Sequence, residues 1–161
     1  MAKIDFKKKV EQYENKVTNI VLRKAEEPIF ITFNFSFLTD NSSYNLHCDS
    51  CTHDHRHHLI ERLLNLSNKD LVSLTAKTNK NWELEKLKKD DFGRNDKIKN
   101  LKISSKFESS KRSDLAGDGY WIFRLCPNNN PFESRIIGKM IDDIFYVMFI
   151  DYNHELYAKR K

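Results

Sequence analysis

Three short apolar segments, YWIFRL (120–125), SRIIGKMI (134–141) and IFYVMFID (144–151), constrain the fold more than any other part of the chain. They are joined by CPNNNPFE and by the tight Asp142–Asp143 pair. Short apolar runs separated by turn residues read as an antiparallel meander. Several positions on both faces of these strands are apolar, so helices are expected to cover at least one side of the sheet. The expectation is an α+β fold: an antiparallel sheet of about four strands with helices packed on it.

At 161 residues the chain has the size of one domain. Its eleven Phe and six Tyr point to a core built around aromatic anchors. We divide it into a helix-strand-helix half (1–76), a basic irregular stretch (77–117) and the meander (118–161). In the first half, Phe6, Val10, Tyr13, Val17, Ile20 and Val21 recur at steps of three and four, which predicts an amphipathic helix over 4–24. The period then changes to two. Ile29, Ile31, Phe33, Phe35 and Phe37 alternate with more polar neighbours, as in an antiparallel strand with one face on the core. Leu59, Ile60, Leu63 and Leu64 form one apolar helical face, and Ser67 with Asp70 three residues on predicts the start of another helix at Ser67. The polar stretch is expected to contain a basic loop, a short helix and a strand over LKISSKF (101–107).

The charge is regional. Residues 77–112 hold twelve Lys or Arg against six Asp or Glu, a net +6 in a chain whose total is +5. Such a stretch attracts nucleic acid or an acidic protein. Lys86, Lys88, Lys89, Arg94, Lys97 and Lys99 are the candidate nucleic-acid contacts. No run reaches the roughly 18–20 apolar residues of a membrane span, and the start MAKIDFKKKVEQYENK lacks the apolar middle of a signal peptide. A cytoplasmic protein with no membrane partner is expected, and its three cysteines are then reduced thiols rather than a disulfide framework. With four glycines and no glycine-rich phosphate loop, nucleotide-binding folds are disfavoured.

HCDSCTHDHRHH (47–58) holds five of the six histidines and two of the three cysteines. A Cys-x2-Cys pair is half of a zinc site. If a helix starts near Thr52, Cys51, His55 and His58 share one face. Against a zinc finger, the ligands crowd into one segment instead of forming two pairs about a dozen residues apart. We read the segment as the polar entry to a helix and expect no cofactor. Zinc on Cys48, Cys51, His55 and His58 is the alternative, in a small zinc-stabilised interaction domain.

The last candidate group is Arg124, Arg135, Lys139, His154 and Tyr157, on or just beyond adjacent strands. Strict alternation puts Arg135, Ile137 and Lys139 on one face. Cations, an imidazole and a phenol on a sheet surface can hold RNA phosphates and act on them. This pattern, an Arg-bearing strand, a tight turn, IFYVMFI, then a His and a late Tyr, resembles the RelE/YoeB group of bacterial toxins. The closing IDYNHELY is also similar to short bacterial proteins that end in a D-x-x-H-x-L-Y arrangement. The toxin resemblance implies a small α+β domain with an antiparallel sheet and metal-independent cleavage of messenger RNA on the ribosome. It also implies an acidic antitoxin partner. Arg135 would match the strand Arg that contacts the scissile phosphate, His154 the late His and Tyr157 the near-terminal Tyr. The alternative is a non-enzymatic accessory protein of a mobile element or phage-defence system that binds nucleic acid or protein through the basic stretch.

Overall fold

The computed structural model describes residues 27–76, 81, 83–88, 91–92 and 101–157; the helix expected over 4–24 lies outside them. The fold is α+β. The strands are β1 (Thr32–Asn34), β2 (Glu85–Leu87), β3 (Tyr120–Arg124), β4 (Arg135–Ile141) and β5 (Ile144–Asp151). The helices are α1 (His53–Ser67), α2 (Leu71–Thr75), α3 (Ser105–Glu108) and α4 (Lys111–Leu115). Single 3-10 turns cover Ser42–Tyr44 and Pro127–Asn129.

The five strands form one sheet in the order β1-β5-β4-β3-β2. The meander stands where its sequence puts it: β3 pairs antiparallel with β4, and β4 with β5 through the Asp142–Asp143 turn. The sheet is mixed rather than purely antiparallel, because β1 runs parallel to β5, with Phe33 opposite Phe145. Period-two alternation reports which face a residue takes but not which way its partner strand runs.

Two apolar layers enclose the sheet. On one side Phe123, Leu125, Ile136, Phe145, Val147 and Ile150 pack with Leu59, Leu66 and Leu74 of α1 and α2. On the other, Ile122, Ile137, Tyr146, Met148, Phe149 and Leu156 pack with Phe37, Tyr44 and Phe107. Full burial of such a side chain contributes about 1.5–3 kcal/mol, so the meander anchors both layers. The register slips between Ile137 and Gly138, where Phe149 and Val147 are the successive partners and Met148 is the extra residue. This bulge turns both Met148 and Phe149 toward the second layer. Gly138 is required there: a Cβ would lie 2.2 Å from the Tyr146 carbonyl oxygen and 2.5 Å from the Phe145 ring.

Several local expectations change. β1 is only three residues long: the Asn34 side chain accepts the Ser36 N–H and ends the strand, and Ile29, ahead of it, is exposed. Phe33 packs edge-on to Phe123 in the first layer, while Phe37, beyond the turn, packs on Phe107 and Tyr146 in the second. In α1, Leu59, Arg62 and Leu66 face inward, whereas Ile60 and Leu64 are 58% and 61% exposed. Arg62 displaces the apolar reading because its Nε donates to the Arg124 carbonyl at 3.0 Å and its Nη2 to the Asn81 carbonyl at 2.7 Å. Burial pulls this guanidinium down to about 10, and the hydrogen bonds are what make its burial tolerable. Ser67 ends α1, and Asp70 is the N-cap of α2, since its carboxylate accepts N–H groups from Ser73 at 3.2 Å and Ile29 at 3.1 Å. Residues 101–107 do not form a strand. Helical turn α3 drives Phe107 into the second layer, and the short edge strand comes instead from Glu85–Leu87.

Candidate functional site

The sheet brings Arg124, Arg135, His154 and Tyr157 together at the end where β3 stops and β4 begins. Arg124 and Arg135 are direct cross-strand partners. Like charges so placed repel, and the loop between the strands supplies what offsets this. Asn128 and Asn129 adopt left-handed backbone angles (φ 55° and 60°), which Asn accepts more readily than most residues. The Asn129 side-chain oxygen then accepts from Arg135 Nη2 at 2.8 Å and from Arg124 Nη1 at 3.3 Å.

Arg135 is 3% exposed and thoroughly engaged. Its Nε donates to the Tyr157 hydroxyl at 3.2 Å, and its Nη1 to the carbonyls of Glu133 and Ser134. Arg124 is half-buried, and its buried Nε has no hydrogen-bond partner among the described residues. Burial pushes the Tyr157 phenol up even though the Arg135 charge opposes the shift, so the hydroxyl stays protonated at neutral pH. Tyr157 also bridges to Phe92 on the basic stretch.

The His154 ring lies edge-on to Tyr157 with centroids 4.7 Å apart. Its backbone is left-handed, φ 54°, a conformation of order 1–3 kcal/mol above the ordinary ones for a residue with a Cβ. The strain is held by Asp151, whose buried carboxylate accepts the N–H groups of Glu155 at 3.0 Å and Leu156 at 2.9 Å. Desolvation raises the Asp151 pKa, and those same hydrogen bonds pull it back down. The turn is tied a second time, by the Tyr44 hydroxyl donating to Glu155 Oε1 at 3.2 Å, and burial beside that carboxylate pushes the Tyr44 phenol up to about 12. Asn129 and Asp151 were not among the site residues read from sequence. The signal for Asp151 was the D-x-x-H spacing itself, since a side-chain acceptor ahead of a turn caps it.

Lys139 shares the Arg135 face but is four residues along the strand, about 13 Å away. It is 4% exposed. Its ammonium donates to the carbonyls of Gly117 (2.8 Å), Asp118 (3.1 Å) and Gly119 (2.7 Å) and lies 4.3 Å over the Tyr120 ring.

In the Cys/His segment, Thr52 caps α1 and the His55 backbone N–H donates to Thr52 Oγ1 at 3.3 Å. The His55 Nδ1 accepts the Thr52 N–H at 3.4 Å, and the ring stacks 3.6 Å from Phe132. His57 and His58 each reach Glu61, at 3.4 and 3.5 Å. Among the described residues, no group of three or more His, Cys, Asp or Glu side chains is placed to hold a metal ion. Of the basic candidates, Lys86 is exposed 5.7 Å over the Trp121 ring and Lys88 is exposed; Lys89, Arg94, Lys97 and Lys99 lie outside the described residues. A groove of about 450 Å³ opens elsewhere, between α1 and Leu125–Pro127, lined by His58, Glu61 and Arg62. Among the described residues no helix is long and apolar enough to cross a membrane.

No protein-family model, curated protein or solved structure matches the chain.

Proposed function

We propose that the protein is a cytoplasmic, RelE-like, metal-independent endoribonuclease acting on messenger RNA, with its site at Arg124, Arg135, His154 and Tyr157. The observation that carries this reading is their convergence: two arginines on one acceptor, one of them on the phenol, and an imidazole in strained backbone against that phenol. The antiparallel meander and the grouping of cations, an imidazole and a phenol also agree with the toxin resemblance.

The reaction assigns each group a role. A base removes the proton of a ribose 2′-OH, the 2′-oxygen attacks the adjacent phosphorus, and the bond to the 5′-oxygen breaks as an acid protonates it. The products are a 2′,3′-cyclic phosphate and a 5′-hydroxyl. His154, edge-on to Tyr157, serves as base in this reading. Tyr157 accepts from Arg135, which leaves its own O–H to donate to the leaving oxygen. Arg124, half-buried and less engaged than Arg135, offsets the charge that builds on the phosphate. Arg135 is a positioning cation, aiming the phenol and adding to the positive field. Lys86 and Lys88 give the RNA or ribosome a basic approach. An antitoxin with an acidic helix would cover the same face.

The test is tightly induced expression in a bacterial host, wild type beside His154→Ala and Arg124→Ala, with soluble protein quantified by immunoblot. Growth is followed and messenger RNA ends are mapped by primer extension. The expected result is arrest with new ends for wild type and neither for the variants at equal protein level. Normal growth with intact RNA at ample soluble wild-type protein overturns the reading.

A further inference from the structure

Cys48 and Cys51, the one closely spaced cysteine pair in the sequence, pack on the edge of the first apolar layer and have no part in the proposed reaction. Cys48 and Cys51 are separated by Asp49 and Ser50, and the Cys51 N–H donates to the Cys48 carbonyl at 2.8 Å, closing a four-residue turn. Such a turn keeps its end Cα atoms within about 7 Å, close to the roughly 4.4–6.8 Å that a disulfide spans. The thiols differ in access: Cys48 is half-buried, whereas Cys51 is 8% exposed. Cys51 directly precedes the Thr52 cap of the 15-residue α1, so the turn that pairs the cysteines leads straight into that helix. Cys51 also lines a small cavity with His55 and Tyr152. Cys126 is unlike both: burial pushes its thiol up and leaves it inert.

We propose that Cys48 and Cys51 are a reversible dithiol/disulfide centre that exchanges with small disulfides. The Cys48 thiolate attacks one sulfur of the reagent, forming a mixed disulfide and releasing one thiolate. Cys51, deprotonated, attacks Cys48 Sγ, forms the internal bond and releases the second. The dithiol loses two electrons and two protons; the reagent disulfide gains both and leaves as two thiols. Oxidation also has a route into the molecule. The Tyr152 hydroxyl donates to the Asn45 carbonyl at 3.0 Å, and Asn45 in turn accepts the Cys48 N–H at 3.3 Å.

The test incubates the purified full chain in buffers spanning reduced to oxidised glutathione, followed by acid quench, alkylation and intact-mass and peptide analysis. Three alkylated cysteines are expected at the reducing end, falling to one, Cys126, at the oxidising end, with a Cys48–Cys51 peptide two hydrogens lighter. Cys51→Ala should instead accumulate one glutathione on Cys48, and Cys48→Ser should take up none; circular dichroism establishes that both variants fold. Three free thiols throughout, a persistent glutathione adduct on wild-type Cys48, or a disulfide involving Cys126 would each overturn the proposal. Growth arrest does not enter this readout, so its outcome is independent of the ribonuclease reading.

Discussion

Replacing Lys139 with Met separates a structural from a catalytic use of that cation. The substitution keeps most of the stem's volume and removes the ammonium, and with it three donations to the 117–119 carbonyls and the contact with Tyr120. A net hydrogen bond from a charged donor contributes about 1.5–3 kcal/mol, and a desolvated cation–π contact about 2 kcal/mol. These do not add in full. Gly117 and Asp118 are exposed, so their carbonyls can rehydrate, while Gly119 is half-buried and its carbonyl loses more. Relief of the buried ammonium's desolvation offsets a further part. The expected net loss is about 2–3 kcal/mol, or roughly 4–12 °C in Tm for a domain of this length. Urea titration followed by tryptophan fluorescence, with a thermal melt by circular dichroism, measures it. A loss below about 0.5 kcal/mol, inside the range of an ordinary surface substitution, would refute the reasoning and return Lys139 to the list of cations available for chemistry.

Gly138→Ala should be more damaging than Gly117→Ala. The first drives a Cβ into backbone across the bulge, whereas the second meets nothing within 4 Å and bears only the strain of φ 62°; equal unfolding midpoints would contradict this. His55 should make stability depend on pH. Burial lowers its folded pKa below 6.5, so the neutral imidazole is favoured in the fold. The contribution is full above the unfolded pKa near 6.5 and is lost as pH falls from there through the folded value. Gln completes the same capping box without titrating, so His55→Gln should flatten the loss between pH 7 and 5, and parallel curves for the two proteins would sink the assignment.

What sequence could reveal was decided by the range of the interactions. The meander was legible because its strands are neighbours in sequence and its turns carry their own chemistry. A helix start near Thr52, considered in the sequence only as a condition, is where α1 begins, with Thr52 as its cap. The reading failed where a distant partner decided the outcome. Arg62 looks like a surface residue until two carbonyls, one from β3, take it inward. Asp70 looks like the third residue of a capping box until Ile29 donates to it. The nearness of Arg124 to Arg135 was foreseeable from the pairing of their strands, and Tyr157, a few residues beyond β5, reaches Arg135 from the turn that follows. Asn129 was missed because its role exists only once β3 and β4 are adjacent. Lys139 was placed on the correct face, but its loop partners at 117–119 come from outside the strand pair.

The parallel pairing of β1 with β5 sets the order in which the molecule can be made. Residues 32–34 find their neighbours only when 144–146 exist, so during synthesis the first strand waits through more than a hundred residues with its edge uncovered. Pairings of such long range are slow to close, and an uncovered apolar strand is where nascent chains stick to one another. Because β5 lies between β1 and β4, a ribosome that stalls before reaching it leaves β1 without a partner and the remaining strands with an open edge. β1, with Ile31 before it and Phe33 within it, therefore joins the sheet only once β5 has been made.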